Sequence, residues 1–276
     1  MKKLIIYTAA LAAGAILTEQ KAYAWFGKTH RDILEKALEL LEKQKDKSYY
    51  DFFSGYKNIL IKACTEPDNL GDIDKGSGMH YYCAANKRGA KLEAVNGYYR
   101  NRHRKFNRSA RTMLEENYTM ALSLFKSGND KMAMHMLGRA LHFIQDIGCT
   151  VHSSGIRYMS RNSNPHYAFE KFARNGCAEV PSPDNIDKRI KKTCEGELED
   201  AANRLAEFSS RFVPDVIKVE PESFDKICKG SLPTAHQYTA CLMIRFYNDI
   251  AADNENFLLD GKQYIFKNEL TSQLLT

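Results

Sequence analysis

The sequence predicts an all-α protein with a single multi-helical domain. Apolar residues recur at helical spacing over most of the chain, and loops rich in glycine, proline and asparagine separate those stretches. No series of apolar β-runs alternates with them, and neither an internal repeat nor a linker interrupts the chain. Residues 25–276 are therefore expected to form one domain.

The first half of this domain should contain four helices. Residues 30–45 place apolar side chains on one stripe and charges on the opposite face, as in an amphipathic helix. Residues 52–64 predict a second helix, and residues 66–79, with their Pro, Gly and Asp, predict a long loop. Two more helices are expected at 108–125 and 131–147, separated by the turn sequence Ser-Gly-Asn.

The second half continues the helical pattern. A polar loop covers residues 153–164, and Pro165 stands at the first position of a helix, where its missing N–H is tolerated. Helices are also expected at 185–212 and 234–252. Only the tail suggests strands, because FLL-DG-KQYIF around Asp260 has the two-residue turn of a small β-hairpin.

Residues 1–24 have the layout of a secretory signal peptide. Two lysines precede a mostly apolar run that ends near Leu17, and the segment closes with Ala-Tyr-Ala. The run is too short to span a bilayer, and no later segment predicts a transmembrane helix. We expect an exported protein, secreted or periplasmic, whose mature chain begins at Trp25.

Charge and cysteine content argue against two other classes of protein. The formal net charge of +6 falls to +4 without the signal segment, an excess too small and dispersed for a nucleic-acid-binding surface. The seven cysteines include no C-x2-C pair, which argues against a cysteine zinc site. In an exported chain they predict structural disulfides, and their odd number leaves at least one outside such a framework.

The stretch LHFIQDIGCTVHSSGIRYMSRNSNPHYAFE is rich in possible metal ligands and holds three of the eight histidines. His142 and Asp146 lie four residues apart, so both leave one face of a predicted helix. His166 and Glu170 repeat this spacing on the next helix, and His152 lies in the loop between the pairs. Zinc binds imidazole nitrogen and carboxylate oxygen. Histidines packed in a helical core are the alternative explanation.

Residues of the same types lie upstream. Trp25, the expected N-terminus, precedes His30, and Asp68 is followed by His80. The full pattern is W-x4-H, D-x11-H, H-x3-D-x5-H-x13-H-x3-E, and it spans most of the mature chain. In these nine positions the sequence resembles the zinc-dependent phospholipase C family, bacterial enzymes with a three-zinc cluster.

This resemblance implies a fold and a set of ligands. The fold is the all-α domain shared by zinc phospholipases C and P1 nucleases. It implies that one zinc ion is bound by Asp68, His80, His142 and Asp146. A second is bound by His30, the shared Asp146 and Trp25, through its amino group and carbonyl. The third is bound by His152, His166 and Glu170. Asp68 and Asp146 are also the implied catalytic residues, with Asp68 acting as ligand, general base or both.

Coordination by a terminal amine has a chemical consequence. An α-amine binds zinc only when deprotonated, and its free pKa of about 7.7–8.0 lets the metal displace the proton near neutral pH. In the precursor the Trp25 nitrogen is an amide and cannot bind. Signal cleavage is therefore expected to complete the site.

The implied reaction is hydrolysis of the glycerol–phosphate bond of phospholipids at a membrane surface, by a monomer, to give diacylglycerol and a phosphorylated headgroup. Choline-preferring relatives place an acidic residue near the N-terminal Trp and aromatic residues beside the loop ligands. Lys28, Asn69 and Ser77 stand near those places here. Because a lysine repels a cation, an anionic or neutral headgroup fits as well as choline.

Two alternatives stay open. Zinc nucleases of the S1/P1 type share the scaffold and the W-x4-H opening, and they act on single-stranded nucleic acid. Their last ligand is Asp after a longer gap, so Glu170 and the x13 gap favour the phospholipase. The basic run RNRHRKF is the nearest approach to a base-stacking surface. A non-enzymatic exported binding protein is the third possibility, but it gives no reason for nine metal-type residues at these spacings.

Overall fold

Helices make up most of the described chain in this computed structural model, which confirms the predicted all-α fold. The structure describes residues 27–69, 72–74, 78–92, 94–95, 98–101, 104–105, 108–176, 179–252, 256–259 and 262–265. The predicted signal peptide and Trp25 lie outside these residues. Among the described residues, no helix combines the length and apolar character needed to cross a bilayer.

The helices follow one another with short connections. Their bounds are α1 (Gly27–Glu42), α2 (Ser48–Ser54), α3 (Lys57–Thr65), α4 (Ala110–Lys126), α5 (Asp130–Ile147), α6 (Thr150–Ser153), α7 (Pro165–Gly176), α8 (Lys188–Glu195), α9 (Leu198–Ser209), α10 (Val213–Val216) and α11 (Pro221–Ala252). Two 3-10 turns, Glu66–Asp68 and Ser210–Phe212, extend α3 and α9. Helix α4 begins at a capping box in which Ser109 and Thr112 bond each other's backbone N–H groups.

Three predicted helices have different bounds in the structure. The one predicted at 52–64 is two helices that meet at Gly55 and Tyr56, and the one at 185–212 is broken at Gly196. Helix α11 begins well before the predicted residue 234 and continues through Pro233. Proline removes one backbone hydrogen bond. Here buried residues on both sides of Pro233 keep the helix in place, so packing outweighs the local signal.

Short antiparallel strands complete the described chain. The tail hairpin is confirmed, with β4 (Asn256–Leu259) paired to β5 (Lys262–Ile265). A second small sheet was not predicted and comprises β1 (Ala94–Val95), β2 (Tyr98–Asn101) and β3 (Arg104–Lys105), paired in that order. These strands are too short to carry a clear alternation of apolar and polar residues.

Helix α5 lies at the centre of the fold. It packs against α3 and α4, and every residue from Leu137 to Ile147 is buried. Helix α1 packs between α3 and α11. A helix buried on all sides normally carries apolar residues only. Polar residues on α5 must therefore find partners inside the protein.

The cysteines form fewer disulfides than the sequence predicted. Cys228 is disulfide-bonded. Five others are buried free thiols, which corrects the prediction of a disulfide framework for those positions: Cys64, Cys83, Cys149, Cys194 and Cys241. A buried free cysteine packs as a small apolar side chain.

Candidate metal centre

Six structural elements bring the predicted ligands into the interior. Helix α1 supplies His30, the 3-10 turn after α3 supplies Asp68, and the segment before β1 supplies His80. Helices α5, α6 and α7 supply the remaining residues, with the predicted i, i+4 pairs on α5 and α7. Eight predicted ligands are at most 4% exposed: His30, Asp68, His80, His142, Asp146, His152, His166 and Glu170. Trp25, the ninth, lies outside the described residues.

Asp146 stands between three histidines. Its Oδ2 lies 2.8 Å from His80 Nδ1 and 3.2 Å from His142 Nε2. Its Oδ1 lies 3.5 Å from His30 Nε2. The carboxylate thus presents its two oxygens to different neighbours, as a ligand shared between two sites would.

Asp68 adds a second carboxylate to this group. Its Oδ1 lies 3.8 Å from both His80 Nδ1 and His142 Nε2, and its Oδ2 lies 3.7 Å from His30 Nε2. Donor atoms of His30, His142 and Asp146 lie within 4.8 Å of one another, and so do those of Asp68, His80 and His142. Each set has the composition of a divalent metal site.

A second group forms where α6 meets α7. Glu170 Oε1 lies 2.8 Å from His166 Nε2 and 3.2 Å from His152 Nε2. His152 is on the short helix α6 rather than in a loop. The thiol of Cys149, which was not predicted, lies within 4.8 Å of donor atoms of His152 and Glu170. Burial and the charge of Glu170 raise the pKa of this thiol well above its usual value, which favours its protonated form.

Hydrogen bonds on the far side of the imidazoles fix their orientation. His142 Nδ1 donates to Cys64 O at 2.9 Å, and His152 Nδ1 donates to His80 O at 2.8 Å. His166 Nδ1 donates to a backbone carbonyl in the same way, and His30 Nδ1 donates to Gln145 Oε1 at 2.7 Å. In each ring Nε2 is then left without a hydrogen and can accept a cation.

The electrostatics of the buried groups favour the forms that bind metal. Burial lowers the pKa of His142 to about 3 and also lowers that of His152, so both rings are neutral at pH 7. Burial acts to raise the pKa of Asp146, but the adjacent imidazoles of His142 and His152 outweigh it, and the pKa falls well below its usual value. Burial also acts to raise the pKa of Glu170, but the adjacent His166 and His152 lower it below its usual value. Metal ligands need neutral histidine and ionised carboxylate.

Polar atoms of this cluster that lack a hydrogen-bond partner fit a divalent cation. His30 Nε2, Asp146 Oδ1 and Glu170 Oε2 are buried without a hydrogen-bond partner, which is costly for polar groups in the interior. Burial acts to lower the pKa of His30, but the nearby carboxylates of Asp146 and Asp68 raise it above the ordinary value. The cluster therefore attracts positive charge, which a divalent ion would supply.

Sequence reasoning missed residues that support the ligands from behind. Gln145 binds His30, and Arg139 binds the acidic loop that follows Asp68. His135 lies seven residues before His142 on α5, and its Nε2 donates a 2.6 Å hydrogen bond to Glu66 Oε2 in the same loop. The several Asp residues in the 66–79 loop were a sequence signal for a basic partner, but which residue provides it depends on tertiary contacts.

Fold and site together define an all-α protein with a buried histidine–carboxylate cluster of the type that binds divalent metal. The family described as zinc dependent phospholipase C matches residues 29–204, more than half of the chain. The chain therefore belongs to the zinc-dependent phospholipase C family and is a phosphodiesterase hydrolase. A comparison with curated proteins gives no match.

Solved structures of clostridial α-toxins have the same fold. α-Toxin from an avian strain of Clostridium perfringens (SWCP) superposes with a TM-score of 0.60 at 17% identity, covering 85% of this chain and 67% of that one. α-Toxin from Clostridium absonum gives a TM-score of 0.65 at 16% identity, covering 84% and 67%. Identities this low establish a common fold only.

Proposed function

We propose that this protein is an exported phospholipase C that hydrolyses the glycerol–phosphate ester of phospholipids with three bound zinc ions. The observation that carries the proposal is the convergence of eight buried ligand-type side chains from six elements into two groups, one at Asp146 and one at Glu170. Packing alone does not explain it, because burying so many titratable groups together is costly unless a cation pairs with them.

The proposed ligand groups are those given by the family pattern. Asp68, His80, His142 and Asp146 hold one zinc, and His152, His166 and Glu170 hold another. His30 and Asp146 hold the third together with the amino group and carbonyl of Trp25. The two Asp146 oxygens have different histidine neighbours, which supports its role as the ligand shared by two ions.

Within this site the two acidic residues carry the chemistry of the chain. Bound zinc would neutralise phosphate oxygens and lower the pKa of a water molecule. Asp68 lies beside both Asp146-linked histidines, so its carboxylate can accept the proton of that water or complete the ligand set. The backbone-bonded imidazoles keep the cluster rigid while substrate binds.

The proposed mature protein comprises residues 25–276 after removal of a signal peptide at 1–24, and it acts as a monomer at the membrane surface. A chain that keeps a methionine before Trp25 should lose one zinc ion and most activity, because an amide nitrogen replaces the terminal amine. The control is the same chain processed to begin at Trp25. Full activity of the extended chain would refute the role of the amine.

The headgroup is proposed to be neutral or anionic at least as readily as choline. Lys28 is half exposed, and it pairs with Asp32 at 2.7 Å, so this pair offers no unpaired carboxylate to a cationic headgroup. Tyr81 and Tyr82 are buried, and their hydroxyls bond within the protein. These tyrosines therefore offer little surface for a quaternary ammonium group.

The test is hydrolysis by purified, zinc-replete mature protein of vesicles that differ only in headgroup, with release of the phosphorylated headgroup as readout. Single-stranded DNA is the parallel substrate, and total zinc is measured in the same preparation. We expect about three zinc per chain and lipid hydrolysis that a chelator abolishes. Cleavage of DNA without lipid hydrolysis, or a protein that binds no zinc, would overturn the proposal.

A further inference from the structure

The loop that joins two of the proposed ligands is pinned to the helix that carries two others. Asp68 and His80 lie near the ends of this loop, residues 66–80. Its described middle part, residues 72–74, contains no helix or strand. Such a segment has conformational freedom to lose before its ends can meet in one site. Something must therefore fix it.

Arg139 provides the contact. Its Nη1 donates to Asp72 Oδ2 at 2.9 Å and its Nη2 donates to Asp72 Oδ1 at 2.6 Å, so the pair is bidentate. Nη2 also donates to Asp74 Oδ2 at 2.5 Å. The side chains of Arg139 and Asp74 are 5% and 6% exposed, so water screens this pair little. By contrast Ile73, between the two aspartates, is 86% exposed, so apolar burial does not hold the turn.

The same network reaches the start of the loop. Glu66 Oε2 lies 3.6 Å from Arg139 Nη1 and 2.6 Å from His135 Nε2. Glu66 begins the 3-10 turn that ends at Asp68. Arg139 and His135 are one turn apart on α5 and therefore hold two points of the loop against one rigid helix.

We propose that Arg139 is a positioning residue of the zinc site: it fixes the 66–80 loop so that Asp68 and His80 meet His142 and Asp146 before metal binds. Arg139 precedes His142 by three residues on α5, so the contacts of Arg139 and the ligands on α5 belong to one rigid helix. Repulsion between the Asp68 and Asp146 carboxylates opposes this arrangement in the absence of cations. The inference rests on the proposed zinc site.

The experiment compares Arg139→Met with Arg111→Met. Arg111 is a fair match because it is also buried and binds two carboxylates at 2.8 Å, those of Glu115 and Glu199, which lie outside the 66–80 loop. Thermal unfolding measures loss of stability, and titration with a chromogenic chelator measures zinc affinity. Both variants should unfold at lower temperature than the wild type. Only Arg139→Met should release its most labile zinc at least 10-fold more readily, the scale seen when groups behind metal ligands are lost.

Two further variants keep the test decisive. Arg139→Lys should give intermediate zinc affinity, because an ammonium retains charge but cannot bind Asp72 through two parallel bonds. If Arg139→Met does not fold, Asp72→Asn weakens the same contact and should shift zinc release in the same direction. If Arg139→Met, or Asp72→Asn in its place, retains zinc as well as Arg111→Met does, the inference is overturned. Failure of the wild type to bind zinc would instead overturn the proposed function.

Discussion

Replacing Gly138 by alanine tests how closely α3 and α5 must approach to assemble the site. A Cβ at this position would lie 2.7 Å from Ala63 Cβ and 2.9 Å from Leu60 O. Carbon atoms in contact normally stay about 3.5–4.0 Å apart. Because one obstacle is a backbone oxygen, a change of side-chain rotamer cannot relieve the overlap. Helix α3 would have to move away by about 1 Å to restore that contact distance.

The expected loss of stability follows from two opposing terms. Alanine in a helix interior is more favourable than glycine by about 1 kcal/mol. Overpacking of a tight interface costs about 1–3 kcal/mol, and a backbone obstacle places this site at the upper end. The net destabilisation should be about 1–2 kcal/mol, which corresponds to a fall in Tm of about 2–8 °C for a protein of this size.

The assay is urea or thermal unfolding, with Gly55→Ala as control. A Cβ at Gly55 meets only Phe52 O at 3.7 Å, and φ there is −63°, so alanine should be neutral or slightly stabilising. Because α3 leads directly to Asp68, Gly138→Ala should also weaken zinc retention while Gly55→Ala does not. A Gly138→Ala protein as stable as Gly55→Ala would refute the close-approach argument.

Three further predictions concern buried polar groups. His142→Ala and Asp146→Asn should each lower lipid turnover by about 100-fold or more, with helix content unchanged by circular dichroism. A variant that retains turnover would show that its residue is not part of the site. Burial, aided by the charge of Lys36, lowers the pKa of His236 to about 3. As pH falls below about 6.5, the unfolded chain therefore takes up a proton on this histidine before the folded chain does, and the wild type loses stability. His236→Gln should lose less stability than the wild type between about pH 6.5 and 4, as measured by urea titration. The same pH dependence of stability in both proteins would contradict this. Burial raises the pKa of Cys83 to about 12, so iodoacetamide at pH 8 should label it only after unfolding, and rapid labelling of the folded protein, read by mass spectrometry, would disagree.

Much of the fold could be predicted because local signals and packing agree. Helices α1 and α5 follow their apolar and i, i+4 patterns to within three residues. The errors occur where the two conflict. Gly55 and Gly196 end helices that periodicity alone would join, and Pro233 lies inside a helix that it would be expected to break. Tertiary burial decides such positions, and a single sequence does not display it.

The candidate site was accessible to sequence reasoning for a different reason. Histidine and carboxylate four residues apart define a local geometry, so the α5 and α7 pairs could be placed on helix faces from spacing alone. His30, Asp68 and His80 could be added only through the family pattern, because their approach to α5 depends on how separate elements pack. Cys149, in the same stretch, was passed over because it belongs to no recognised pattern.

Helix α5 explains why these elements meet where they do. Inside a fully buried helix each polar side chain needs a partner from another element, since an unpaired group costs about 1–3 kcal/mol. On α5 Arg139 binds the acidic loop, His142 the end of α3, Gln145 the ring of His30 on α1, and Asp146 the ring of His80. Four polar residues on one helix thus fix three separate segments: the 66–80 loop at two points, the end of α3, and α1. An apolar α5 would pack as well but would leave the ligands without a common frame, so the polar residues that weaken the core are the ones that assemble the site.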